Sequence, residues 1–347
     1  MRLSDFDFEL PEGAIARRPA DRRDHSRLLR LDRRSGSLSH QQFYQLPELL
    51  QPGDLLVVND SKVLKARLYT HKEGSGGKVE VLLIEPISPN DDRRWRAMVA
   101  ASKPVRVGAK LVLPGAGPLV VEAVEGEGFV VVHLPEPALS LTERLGALPL
   151  PPYMERPAEA ADAERYQTVY AAAGKEGSVA APTAGLHFTP ELLKALADRG
   201  VQRVNITLHV GPGTFLPVRS DDVSQHRMHA ERFVIPEATA FAITRAKAEG
   251  RRVVAVGTTV VRTLESVEDG GAGGVLKAGL GSTTLFIKPG FEFRTVDALI
   301  TNFHLPRSTL LMLVSAFAGT ERVLAAYQEA VAHGYRFYSY GDAMLIA

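Results

Sequence analysis

The sequence predicts an α/β protein: a layered α/β main domain with a small all-β barrel domain inserted into it. Three observations carry that expectation. From Leu150 onward, strand-like runs alternate with helix-like ones. Residues 67–149 instead hold short alternating or apolar runs broken by Gly, Pro, Asn and Asp at hairpin-like intervals, with no helical period. Finally, several stretches share one layout of apolar run, small polar turn and helix start. They are APTAGLHFTPELL from Ala181, RRVVAVGTTVVRTLES from Arg251, ALITNFHLPRSTLLMLVSAFAG from Ala298 and, in part, ITLHVGPGTFLPV from Ile206. Backbone N–H groups left free at helix starts form anion sites, and ligands collect beyond the carboxyl ends of strands in open α/β sheets.

Taken in order, PGDLLVVNDSKV from Pro52 reads as a strand ending at Asn59-Asp60, which assigns residues 1–66 to the same domain as residues 150–347. The barrel strands are KVEVLLIE from Lys78, WRAMVA from Trp95, AKLVLP from Ala109, PLVVEAVE from Pro118 and GFVVVHL from Gly128. GSGG at residues 74–77 is a turn rather than a phosphate loop, because a strand and not a helix follows it. Thr189-Pro190 is an N-cap and first-turn pair for ELLKALADRG, which Gly200 stops. PEATAFAITRAKAEG is a helix ending at Gly250 and leading into the strand RRVVAVG. The helix after Ser308 is apolar on every face and therefore buried. A helix from Thr320 to His333, closed by Gly334, precedes the last strand-like run, YRFYSYGDAMLI.

Bulk composition narrows the function classes. Lys plus Arg is 41 against 40 for Asp plus Glu, a net charge of +1, so the protein is not coated in basic residues. Eight arginines against three aspartates between Arg17 and Arg34 form a local basic cluster, suited to phosphate contacts or simply to a solvated face. The lack of cysteine excludes disulfides, thiolate metal sites and a cysteine nucleophile. No signal-peptide profile opens the chain and no apolar run approaches a bilayer span, so a soluble, cytoplasmic protein without membrane contact is expected. Neither a G-x-G-x-x-G nor a Walker loop is present, and His226 and His229 match no familiar metal signature, so no metal is expected.

The turns supply the candidate chemistry. Thr258 or Thr259 at a helix start puts Thr258, Arg262 and Glu265 on one stripe, with Val260, Leu264 and Val267 opposite. The alternative is a surface pair of Arg262 and Glu265 beside a Thr cap. Thr183 to Phe188 is the approach loop to the Thr189 cap; Gly185 permits close backbone approach, and His187 suits proton transfer or hydrogen bonding. His209 sits at a strand end before Gly-Pro-Gly, which also reads as plain turn chemistry. Asn302 and His304 precede the Ser308 cap at another strand-to-helix junction.

At these residues the chain resembles the S-adenosylmethionine:tRNA ribosyltransferase-isomerase family of queuosine biosynthesis. The resemblance runs nearly end to end, through SDFDFELPE, PGDLLVVNDSKV, GGKVEVLLIE, ERYQTVYA, GSVAAPTAGLHFT, TLHVGPGTFLPV, VGTTVVRTLES, LITNFHLPRSTLLMLVSAFAG and YRFYSYGDAMLI. Lys62, Lys65, Ala230 and Arg307 depart from the residues usual in the family. The resemblance implies an α/β domain with an inserted β-barrel and no metal or other permanent cofactor. S-adenosylmethionine is the implied ribosyl donor. The implied acceptor is an aminomethyl-deazaguanine in the wobble position of a tRNA anticodon stem-loop, and adenine and methionine are released as epoxyqueuosine-tRNA forms.

That chemistry needs a base for the ribose 5′-carbon proton, acidified by the sulfonium, and a neutral acceptor amine. His187 and His209 are the expected proton-transfer residues. Arg262 with the Thr258–Thr259 helix start suits the methionine carboxylate. Glu265 or Asp60, the latter beside Asn59, would hold the acceptor ammonium, and Asn302 and His304 would contact adenine or ribose hydroxyls beside the Thr183–Gly185 loop. Arg22, Arg23, Lys62 and Arg67 are the expected RNA phosphate contacts, and a monomer is expected. Two other classes are a non-catalytic anticodon-loop binding module and a nucleotide or phosphate-ester hydrolase using the helix starts as an anion cradle.

Overall fold

The computed structural model describes residues 1–88, 90–211, 213, 221–267 and 276–347. The first two strands, β1 (Arg27–Leu31) and β2 (Leu38–Gln42), form a hairpin. A short helix α1 (Leu46–Leu49) leads to β3 (Leu55–Asn59), all five of whose residues are buried, and then to β4 (Lys62–Val63). Six antiparallel strands follow: β5 (Arg67–Lys72), β6 (Lys78–Ser88), β7 (Asp91–Ala101), β8 (Lys110–Val112), β9 (Pro118–Gly126) and β10 (Phe129–His133). They close into a barrel in the order β10-β7-β6-β5-β8-β9. Alternate residues such as Leu68, Val81, Trp95, Leu119 and Val132 fill its interior.

After α2 (Ala138–Leu145) and α3 (Asp162–Arg165), strand β11 (Glu176–Ser178) pairs in parallel with β4. Helix α4 (Pro190–Asp198) leads to β12 (Gln202–Leu208), and β13 (Glu231–Ile235) to α5 (Glu237–Ala248). Strand β14 (Val253–Val256), helix α6 (Thr258–Ser266), β15 (Gly279–Thr283) and β16 (Ala298–Asn302) come next. The chain ends with α7 (Thr309–Ala318), α8 (Thr320–Ala332) and β17 (Ala343–Ile346). The main sheet has nine strands in the order β15-β13-β12-β3-β14-β16-β17-β1-β2.

Both faces of that sheet are covered, and the period of two in a strand assigns the residues to them. Leu55, Val57, Val253, Ala255 and Leu299 pack with residues of α5 to α8, including Ile243, Val260, Leu311 and Val323. Leu56, Val58, Val254, Val256 and Ile300 pack on the other side with Phe188, Leu192 and Leu196 of α4 and its approach. Strands β12, β3, β14 and β16 run parallel, so their carboxyl ends face one way. The loops bearing the sequence motifs leave from those ends.

Caps stop and start the helices as the sequence signals. The Thr189 Oγ1 accepts from Leu192 N at 3.1 Å, and the Ser308 Oγ from Leu311 N at 3.2 Å. Three expectations need correction. Residues 138–145 form a helix inside the segment read as free of helices; its two turns, with Ala138, Leu141 and Thr142 buried, are too short for a period to stand out. RLYTHK from Arg67 is a barrel strand that the apolar pattern did not flag. Of the run from Tyr335, only β17 is strand; Tyr338 takes φ +71, which no strand accommodates. Among the described residues no single helix is long and apolar enough to cross a membrane.

Candidate active site

A cleft opens beyond the carboxyl ends of β14 and β16. One wall is the loop from Ala180 to Ala184, which enters a 3-10 turn over Thr183–His187. A second is the start of α6, with Thr258, Thr259 and Arg262. The end of β16 and its loop supply Thr301, Asn302 and His304. Tyr166, Tyr338 and Ser339 complete the enclosure. Three of the motif loops thus converge on one cavity, and the loop after β12 adds Val210.

The α6 end is built to meet an anion. Gly257 precedes the helix with φ +91, a value favouring glycine, and its N–H bonds to the Ile300 carbonyl at 2.8 Å, pinning the turn to the neighbouring strand. Arg262 is 6 % exposed and pairs with Glu231 of β13, itself 5 % exposed. Arg262 Nε donates to the Leu285 carbonyl at 3.0 Å. Glu231 Oε1 also accepts from Gly211 N at 3.0 Å, tying the loop after β12 to the guanidinium. Among the described residues, Arg262 Nη2 and Thr259 Oγ1 are buried without a hydrogen-bond partner. Buried polar atoms are seldom left so, and both residues line the cleft.

The β16 end carries two buried imidazoles with different surroundings. His304 lies in the cleft wall; its Nε2 is 2.9 Å from Thr301 Oγ1, and burial depresses its pKa to about 3. His187 lies one layer behind, with Nδ1 2.7 Å from Ser26 Oγ and Nε2 3.1 Å from Asn302 Nδ2. Phe43 stacks on its ring at a centroid distance of 4.9 Å. Burial lowers its pKa to about 4, so the ring is neutral at pH 7.

The whole chain has full-length relatives. It matches the family described as queuosine biosynthesis protein over residues 3–346. The chain belongs to the queuosine biosynthesis protein family. It is 58% identical over 349 residues to an S-adenosylmethionine:tRNA ribosyltransferase-isomerase of Anaeromyxobacter dehalogenans, covering 100% of this chain and 99% of the relative. A Moorella thermoacetica protein of the same name is 53% identical, with both chains covered completely. The crystal structure of an S-adenosylmethionine tRNA ribosyltransferase from Thermotoga maritima is 38% identical, with a TM-score of 0.56, covering 99% of this chain and 100% of that one.

Within this queuosine biosynthesis protein, several expected residues fall outside the cleft wall. Glu265 accepts from the backbone N–H groups of Arg294, Thr295 and Val296 at 2.9, 3.1 and 2.9 Å, so it ties down a loop instead of facing a ligand. Of the polar stripe drawn for α6, Thr258 and Arg262 line the cleft and Glu265 does not, with Val260 and Leu264 in the core opposite. The Arg262–Glu265 surface pair is absent: Arg262 is buried and its carboxylate partner is Glu231. Asn59 clips β3 to β12 through both the N–H (3.0 Å) and the carbonyl (2.9 Å) of Leu208, and Asp60 accepts from Thr207 Oγ1 at 2.6 Å. Gly185 is required by packing, since a Cβ there would run into the Tyr170 hydroxyl and the Thr168 methyl.

His209 does not line the cleft. Side chains alternate along a strand, and Val210 next to it takes the inward position. Its ring packs on Gly177, where a Cβ would come within 2.9 Å of Nδ1, and burial with nearby Arg232 and Lys175 lowers its pKa to about 4. The Gly-Pro-Gly turn after it falls partly outside the described residues, at Pro212. Of the basic candidates, Arg22 stays mostly exposed beside Asp24 at 3.5 Å, and Lys62 pairs with Glu176 at 3.2 Å. Arg23 is committed to the carbonyls of Glu164, Arg165 and Leu186, and Arg67 to Glu80 and the Leu150 carbonyl.

His226 and His229 pack on separate rings, Phe286 and Phe129. A partly exposed trio of His40, Glu329 and His333, at β2 and the end of α8, has ligand atoms within 4.8 Å of one another and lies apart from the cleft residues. Sequence reasoning missed Glu231, Tyr166, Tyr338 and Ser339. A buried arginine demands a carboxylate somewhere, but no spacing points from Arg262 to a residue 31 positions earlier on another strand.

Proposed function

We propose that this protein transfers and isomerises the ribosyl moiety of S-adenosylmethionine onto 7-aminomethyl-7-deazaguanine at the tRNA wobble position, giving epoxyqueuosine-tRNA with release of adenine and methionine. Support comes from the full-length relatives bearing that enzyme name. The observation that carries it in the structure is the unpartnered Arg262 Nη2 of α6, in the cleft beyond the carboxyl ends of the strands. A guanidinium and a helix N-terminus suit the methionine carboxylate. The tyrosines Tyr166 and Tyr338 suit the nucleoside, and the ring faces also favour a sulfonium cation.

The proposed proton-transfer residue shifts from His187 and His209 to His304, the imidazole in the described cleft wall. Burial keeps its ring neutral throughout the physiological range, the protonation state a proton acceptor needs, while a pKa near 3 makes it a weak base until the charge that develops in the bound substrate raises its proton affinity. The acceptor is tRNA, held through its anticodon stem-loop; Arg22 and Lys62, the two cations of that set with exposed side chains, are the proposed phosphate contacts. A monomer acting on tRNA in the cytoplasm completes the proposal.

The test is incubation with S-adenosylmethionine and tRNA carrying the aminomethyl precursor base, with adenine and methionine measured by chromatography. Equimolar release of both, dependent on the modified tRNA, is expected. Binding without release would make the protein a binding module, and phosphate release from a nucleotide would make it a hydrolase.

A further inference from the structure

We propose that His187 is a positioning residue that locks the Asn302 amide, so that Asn302 Oδ1 is presented to the cleft as the acceptor for an N–H or O–H donor on the nucleoside part of the substrate. This rests on the donor proposed above being S-adenosylmethionine. The argument begins at the Tyr338 carbonyl, 3.2 Å from Asn302 Nδ2. A carbonyl oxygen only accepts, so the nitrogen end of the amide must face it. The second amide hydrogen then faces His187 Nε2 at 3.1 Å, which must accept. The imidazole proton therefore sits on Nδ1 and is donated to Ser26 Oγ at 2.7 Å.

The chain of donors leaves one atom over. Asn302 Oδ1 is buried with no partner among the described residues, and Asn302 stands in the cleft wall. An unsatisfied buried acceptor is costly, and a ligand donor recovers that cost on binding. Tyr338 helps to fix the arrangement: its φ of +71 is unusual for a bulky residue, its N–H bonds to the Phe303 carbonyl at 2.9 Å, and its ring packs edge-on against Tyr153 at 4.1 Å. Phe43 stacked on the imidazole prevents it from turning. A proton added at Nε2 would set two donors against each other, so His187 is excluded as the base by the same geometry that makes it a clamp. The donor it selects is either the adenine amino group or a ribose hydroxyl, which share the same hydrogen-bond chemistry.

Two measurements on the full chain test this. The first needs no ligand: 15N-histidine NMR, with His187 assigned by its loss in His187→Gln, reports which ring nitrogen carries the proton. The Nδ1–H tautomer is expected; the Nε2–H tautomer would reverse the Asn302 amide and overturn the proposal. The second is calorimetric binding of S-adenosylmethionine. His187→Gln, whose side-chain carbonyl can accept from Asn302, is expected to bind within about threefold of wild type, and His187→Leu about tenfold more weakly.

In the wild type, an analogue with a 6-oxo group in place of the adenine amine, or the 2′- or 3′-deoxy analogue, is expected to lose about tenfold, whichever carries the donor. That loss is expected to vanish in Asn302→Ala. Equal penalties in wild type and Asn302→Ala for all three analogues would overturn the acceptor role, as would identical binding by the Gln and Leu variants. A wild-type protein that binds no S-adenosylmethionine defeats the functional reading instead, while the NMR result still decides the orientation.

Discussion

At the scale of single residues, the cleft is governed by buried polar groups whose partners are mostly fixed and whose remaining atoms are not. Arg262 shows this most directly. Glu231 and the Leu285 carbonyl hold two of its nitrogens, and Nη2 is left for a ligand. Buried ion pairs contribute little net stability, yet removing one partner strands a charge and costs about 3–5 kcal/mol. Glu231→Gln and Arg262→Gln each strand the other partner's buried charge, so both are expected to lower stability by that order in urea unfolding. Kinetics should separate the two: Arg262→Gln is expected to raise KM for S-adenosylmethionine about 10- to 100-fold while leaving KM for tRNA unchanged, the loss expected for a charge-assisted hydrogen bond. An unaltered KM for the donor would remove Arg262 from the carboxylate site.

At the scale of elements, α6 separates function from support along nine residues. Its first turn faces the cleft, while Glu265 in its last turn receives three backbone N–H groups from the loop before β16. Hydrogen bonds to a charged acceptor contribute about 1.5–3 kcal/mol. Glu265→Gln is accordingly expected to reduce stability by roughly that amount in urea unfolding with donor KM intact; a large KM change at unaltered stability would return Glu265 to the substrate. The elements themselves were legible where a periodic run and a cap coincide, as for α4 behind Thr189 and α7 behind Ser308. The strand-to-helix junctions also pointed to loops that come together: Thr183, Thr258, Thr259, Arg262, Asn302 and His304 line one cavity. Depth was not legible. His187 and Asn302 read alike as polar residues in turns, and only packing puts one behind the other. Glu231, Tyr338 and Ser339 reach the cleft and its arginine through tertiary contacts that no local spacing encodes, while Asn59 is taken up by the backbone of β12 and Asp60 by its Thr207 hydroxyl.

At the scale of the molecule, the buried imidazoles couple the fold to pH. Burial depresses the pKa of His187 and of His209 to about 4, with Arg232 and Lys175 adding to the effect at His209, and that of His304 to about 3. An unfolded histidine titrates near 6.5, so between that value and about 4 the unfolded chain binds protons that the folded chain does not. Stability then rises with pH across this window: it is fully present above about pH 7 and is lost as pH falls through 6.5 toward 4. For the two fully buried rings, His187 and His304, the loss at pH 5 is on the order of 2 kcal/mol each. Urea midpoints measured from pH 8 to pH 5 are expected to fall in step, and the fall is expected to shrink in a His187→Gln, His304→Asn double variant; an equal slope in that variant would mean that both rings titrate normally when folded. The same depression has a functional side. S-adenosylmethionine is a cation at its sulfonium, and a protonated imidazole in the cleft would repel it. Because His304 stays neutral well below pH 6, donor affinity is expected to remain flat from pH 8 to pH 6 even as the protein loses stability. The fold thus trades acid resistance for imidazoles that add no positive charge to the cleft wall beyond the Arg262 guanidinium, which Glu231 pairs.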